Sequence, residues 1–210
     1  MSCLSTLELF DFELVCKDSR ERVLSYRRRA YNLELGLTKF VPSSHITAFR
    51  NLQNATGLVI SGSFALQFLE RSHFTASDLD LYVDHFNAIF VADFLASLGY
   101  VYRPRTLQQP HFEKDILEYT PKMDRTASEG YTDTALTGAY DFVLTADSTT
   151  IIQLMTAATN PVDVILSFHS SIVMNIITHS YAHALYPMET FQRRRALFFK
   201  TETDPKSFSG

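Results

Sequence analysis

Two aspartates separated by one residue, Asp78 and Asp80, are the first feature of this chain that could do chemistry. The run Asp78-Leu79-Asp80-Leu81-Tyr82-Val83-Asp84 alternates strictly. It predicts a strand with Leu79, Leu81 and Val83 on one side and the aspartates with Tyr82 on the other. Carboxylates at i and i+2 of a strand share a face, and like charges so close are costly unless a cation sits between them. The pair therefore points to a divalent ion, Mg²⁺ or Mn²⁺, with Asp78 and Asp80 as ligands. Upstream, Gly62-Ser63 ends a short apolar run and opens a helical pattern, and the free N–H groups and hydroxyl of such a turn suit a phosphate. A third carboxylate, Asp163, stands in the apolar run 162–167, which reads as a strand; an acid there needs a partner or a metal. Metal ligands at Asp78, Asp80 and Asp163 beside a phosphate grip at Gly62 and Ser63 are the parts that phosphoryl or nucleotidyl transfer requires.

The elements that must position these residues follow from periodicity. A helix is expected from Asp18 or Ser19 to about Leu37, on a stripe of Val23, Leu24, Ala30, Tyr31 and Leu35. A second begins at Ser43 or Ser44, carries Ile46, Phe49 and Leu52, and ends at Gly57. Strands are expected at 57–61, 78–84, 100–102, 149–155 and 162–167, with helices at 64–71 and 85–98 between the earlier ones. Residues 103–140 hold Pro104, Pro110 and Pro121 and read as a long, partly irregular insertion. Helices are expected at 168–179, 182–185 and 190–199. The resulting fold class is α/β (α+β), a small mixed sheet with flanking helices. It comprises a helical segment 1–56, a core 57–167 interrupted by the insertion, C-terminal helices 168–200 and a flexible tail 201–210.

The order Gly62-Ser63, Asp78-x-Asp80 and a later Asp163 resembles the DNA-polymerase-β-type nucleotidyltransferase superfamily. More closely, Ile60-Ser-Gly-Ser-Phe-Ala-Leu-Gln-Phe68 with Ser77-Asp-Leu-Asp-Leu-Tyr-Val83 resembles fungal proteins of that fold, and the similarity extends over most of the chain. The resemblance implies two Mg²⁺ ions held by Asp78, Asp80 and Asp163, with Asp163 also as base. An NTP, gripped by Gly62 and Ser63, would then give its nucleoside monophosphate to an acceptor that the sequence does not name. The chain departs from the family in having Phe64-Ala65 where many members carry an arginine after the Gly-Ser, and 14 residues separate Ser63 from Asp78. Two other readings stand beside transfer: an inactive module of this fold that binds nucleotide or protein, and a glycosyltransferase using Asp78-x-Asp80 on a nucleotide sugar.

Composition narrows the classes. Among 210 residues, 46% are hydrophobic and 20% charged, which excludes low-complexity disorder and suits one domain with a sizeable core. No apolar run approaches a membrane span, and Met1 to Cys16 has no basic residue ahead of its apolar ones, so the expectation is an intracellular protein, cytoplasmic or nuclear, without membrane or secretory route. Cys3 and Cys16 are too few for a disulfide framework and read as buried or idle thiols. Residues 70–147 carry 13 acids against 6 bases, a net −7. That suits metal and does not support nucleic acid, while a protein partner or a second copy of the chain stays open. His169, His179 and His183 lack the other ligands of a zinc site and read as packing or capping residues. The clusters Arg27–Arg29 and Arg193–Arg195 read as solvated faces, Arg50 and Arg71 as salt-bridging or phosphate-flanking groups, and Tyr181, Tyr186 and Phe191 as packing.

Overall fold

The computed structural model describes residues 1–72, 78–118 and 135–199. Four helices come first: α1 (Thr6–Glu13), α2 (Lys17–Ala30), α3 (Leu33–Leu37) and α4 (Ile46–Thr56). The single long helix expected from residue 18 to 37 is broken at Tyr31–Asn32, because the Asn32 side chain accepts from Leu35 N–H and starts α3 afresh. Helix α4 ends as expected at Gly57, whose φ of +68° is the left-handed cap that glycine accepts without strain.

The remaining elements are β1 (Val59–Ser61), α5 (Gly62–Glu70), β2 (Leu79–Asp84), α6 (Ala88–Ser97), β3 (Tyr100–Arg103), α7 (Phe112–Glu118), β4 (Leu136–Leu144), β5 (Asp147–Ala157), α8 (Pro161–Leu166), β6 (Asn175–Ile177) and β7 (Ala182–Ala184). The described strands form one mixed sheet in the order β3-β4-β5-β2-β1-β6-β7, in which β2 and β5 run parallel and all other neighbours antiparallel. The architecture is thus the mixed α/β class. Among the described residues no helix is long and apolar enough to cross a membrane.

Alternation along β2 drives both layers. Leu79, Leu81 and Val83 are fully buried in the larger cluster with Ile60, Ile152, Leu154 and the inner faces of α4, α5 and α6. Tyr82 points to the opposite face, where Val59, Met155, Ala157 and Ile176 are roofed by Val164 and Ile165 of α8. Burying each such side chain contributes about 1.5–3 kcal/mol. The side expected to be a carboxylate face is therefore half apolar roof and half polar floor.

Two further expectations fail. Residues 162–167 are not a strand: the Asn160 side chain accepts from Val162 N–H at 2.9 Å, Pro161 supplies a fixed φ at the first helical position, and α8 results. The C-terminal segment is not three helices. Ile176 packs in the α8 cluster and its neighbour Ile177 in the larger one, so the period is 2, and β6–β7 form a hairpin, followed by a π-turn at Met188–Gln192. His179 and His183 lie in and beyond the hairpin turn rather than one helical turn apart. Both cysteines are exposed, and Cys16 caps α2 by accepting from Ser19 N–H. The middle of the expected insertion, 119–134, and the tail 201–210 lie outside the described residues.

Candidate functional site

Strand β1 ends at Ser61, directly across from Asp80 in the antiparallel β1–β2 pair, and α5 starts at the next residue. This register puts the Asp80 carboxylate on the first turn of the helix. Ser63 N–H donates to it, and the carboxylate lies against Gly62. A Cβ at Gly62 would come within 2.9 Å of Asp80 Cγ and closer still to Oδ2, and the residue's φ is +65°. Position 62 needs glycine on both counts. The cap residue Ser61 leaves the helix end uncapped by its own side chain, because its hydroxyl donates to the Asn175 carbonyl at 2.6 Å.

Asp78 precedes β2 by one residue and is half-buried. Its charge acts on Asp80. Burial first and the Asp78 carboxylate second push the Asp80 pKa up to about 6, against the pull of the Ser63 N–H. An acid held this way has lost solvent and gained a repulsive neighbour, and a cation between the two carboxylates would remove both penalties. Mg²⁺ commonly takes one or two carboxylates and completes its shell with water and phosphate oxygens, so Asp78 and Asp80 fit one such ion.

Asp163 does not join them. It sits exposed in the first turn of α8, where it accepts from the Thr159 hydroxyl at 3.1 Å. Among the described residues no three His, Cys, Asp or Glu side chains are grouped to hold a metal. The two-ion site of Asp78, Asp80 and Asp163 is therefore not formed, because the helical turn at Pro161 takes the third acid off the sheet.

The sheet register shows what does stand beside Asp80. Gln153 is its partner on β5, Asp141 is the partner of Gln153 on β4, and Arg103 is the partner of Asp141 on β3. The row Ser61, Asp80, Gln153, Asp141, Arg103 crosses five strands on one face. Asp141 is spoken for: Arg105 donates to both its oxygens at 2.6 and 3.0 Å, and Arg103 approaches at 4.0 Å. Neither Gln153 nor Asp141 drew attention in the sequence, since only pairing across strands places them here.

Other candidates have structural roles. The Arg50 guanidinium donates to Gln53 and to the Thr178 and His179 carbonyls, tying α4 to the hairpin turn, and burial lowers its pKa. Tyr186 packs under α8 and against Phe199, while Tyr181 is exposed and touches only the His183 ring among described aromatic residues. Comparisons with protein-family models, with curated proteins and with solved structures find no match to this chain.

Proposed function

We propose that this chain binds a nucleoside polyphosphate with one Mg²⁺ or Mn²⁺ ion at the corner of α5 and β2, on a core of the nucleotidyltransferase type, and does not itself transfer the nucleotidyl group. The observation that carries this reading is the Asp80 carboxylate seated on Gly62 and Ser63 at the start of a helix, with Asp78 beside it. In the bound state the two aspartates would hold the ion. The ion would draw Asp80 toward itself, and Ser63 N–H with the neighbouring first-turn amides would turn to the phosphates.

Transfer by two metal ions calls for a third carboxylate to complete the site. The position beside Asp80 is the neutral Gln153, and the next acid along the row, Asp141, is neutralised by Arg105. These two facts favour binding over transfer. A nucleotide sugar would use the same aspartates, and nothing in the geometry favours its sugar over a plain triphosphate.

Thermal melts with millimolar Mg²⁺ or Mn²⁺ and non-hydrolysable analogues of the four NTPs test the reading. A stabilisation of several degrees is expected with at least one analogue, abolished in Asp78→Asn and Asp80→Asn, because a ligand of the native state raises its stability. No shift with any analogue overturns it. Pyrophosphate release from an NTP that disappears in Asp80→Asn would establish transfer instead, and release of a nucleoside diphosphate from a nucleotide sugar would establish glycosyl transfer.

A further inference from the structure

The described sheet ends on β3, whose one neighbour is β4. The Gly99 carbonyl accepts from Thr145 N–H at 3.1 Å, and this sets the alternation along the pair. Residues 99, 101 and 103 exchange bonds with β4, so Tyr100 and Tyr102 turn their N–H and C=O groups outward. Among the described residues nothing pairs with these four groups, and no bulge interrupts the strand. An edge left open in this way is a template for another extended chain.

A groove of about 300 Å³ runs beside this edge. Tyr100, Val101 and Tyr102 line it in succession, so the backbone of β3 makes one wall. Helix α6 makes the other with Ala92, Asp93 and Ala96, two of them too small to fill the space. The start of α7 contributes His111 and Glu113. Asp93 and Glu113 are both exposed, neither carboxylate is engaged by another side chain among the described residues, and no Lys or Arg lines the groove with them.

We propose that this edge and groove bind an extended segment of a partner protein with basic residues at alternate positions, added antiparallel to β3. In such a pairing the residues opposite Tyr100 and Tyr102 exchange N–H and C=O bonds with them, and directly opposed side chains share a face. Those two side chains then stand on the side where Tyr100 packs with α6 and α7 and where the acids lie. Lys or Arg at both places meets Asp93 and Glu113, its apolar stem lying along Ala92 and Ala96. Main-chain bonds supply affinity and alternate side chains supply selectivity, as in other strand additions. Charge chooses the occupant: a second copy adding its own β3 brings the same acids toward each other, and a nucleic acid brings phosphates to them. The acid pair on β2 is distant, since β4 and β5 lie between.

Fluorescence anisotropy with a labelled peptide, Ser-Lys-Val-Lys-Val-Ser blocked at both ends, tests this. Saturable binding is expected, and none with Glu in place of both lysines. The double variant Asp93→Asn/Glu113→Gln, altered only at exposed positions, should bind about fivefold more weakly or worse. N-methylation of the two peptide lysines removes the N–H groups aimed at β3 and should weaken binding about tenfold or more, whereas N-methylation of the valine between them should not. Asp80→Asn should bind as the parent does. Absence of saturable binding, equal binding of the Glu peptide, equal binding in the double variant, loss of binding in Asp80→Asn, or the same effect of methylation at either place would each overturn the assignment. A dimer of the chain alone that excludes the peptide would overturn it as well, by giving the edge to a second copy.

Discussion

At Gly62 a positive φ and a carboxylate pressed on the α-carbon coincide, and each alone would select glycine. Gly62→Ala is therefore expected to cost about 2 kcal/mol or more in chemical denaturation. Part of that loss should vanish when Asp80 is also shortened to Ala, because the two changes share one contact. Additive losses in the double variant would mean that backbone conformation alone makes the demand. Asp80 has its own signature in pH. Folding raises its pKa from 3.8 to about 6, so the native state holds this proton more tightly than the unfolded chain. The cost of ionising it is absent below about pH 4, grows as pH rises through 6, and is full above that, at roughly 2–3 kcal/mol. Asp80→Asn should accordingly be more stable than the parent at pH 7 by up to that amount and equal to it at pH 4, in metal-free urea titrations at the two values. Equal stabilities at pH 7 would show that the acid carries no such burden. Asp78 with Asp80, and Gly62 with Ser63, were legible because each pair is local, one in an alternating strand and one in a turn, and the β1–β2 register then sets the two side by side. Gln153 was not, because its place depends on a pairing between residues 73 positions apart.

Among the elements, α8 decides the reading of the third acid. Its sequence, Val-Asp-Val-Ile-Leu, has the β-branched composition of a strand, and only the preceding Asn160-Pro161 marks a helix start. Asn160→Ala removes that start and should cost about 1 kcal/mol of stability. Asp163→Asn should leave any shift produced by Mg²⁺ and nucleotide unchanged, since its carboxylate faces Thr159 rather than the acid pair. A shift lost in Asp163→Asn would restore the third ligand. The C-terminal hairpin was missed for a related reason: a three-residue strand such as Asn175–Ile177 is too short to show its period, and its apolar run is compatible with a helix until its partners are known. Helix α1 did leave a signal, the reciprocal pair in which Ser5 and Glu8 cap each other's backbone, which stands ahead of the apolar residues.

For the whole molecule, the two apolar clusters differ in what covers them. The larger lies beneath several helices and includes Leu81 without exposure, whereas the smaller depends on the six residues of α8 for its roof. Leu81→Ala should lose about 2–5 kcal/mol and lower the cooperative melt, while Val164→Ala should lose less and chiefly speed amide exchange in α8. Equal losses at the two sites would argue that the faces are equally supported. The fold class followed from the sequence because the central strands are long and alternate; the strand order did not, because β5 returns to lie beside β2 only after α6, β3, α7 and β4 have been laid down. That delay matters on the ribosome. Leu79 meets Ile152, 73 residues later, so at about 5–20 residues per second β2 waits several seconds with one hydrogen-bonding edge unsatisfied. During synthesis the central strand of the finished sheet is an outer strand, and it is in that interval, rather than after release, that this chain is most open to pairing with a neighbour of its own kind.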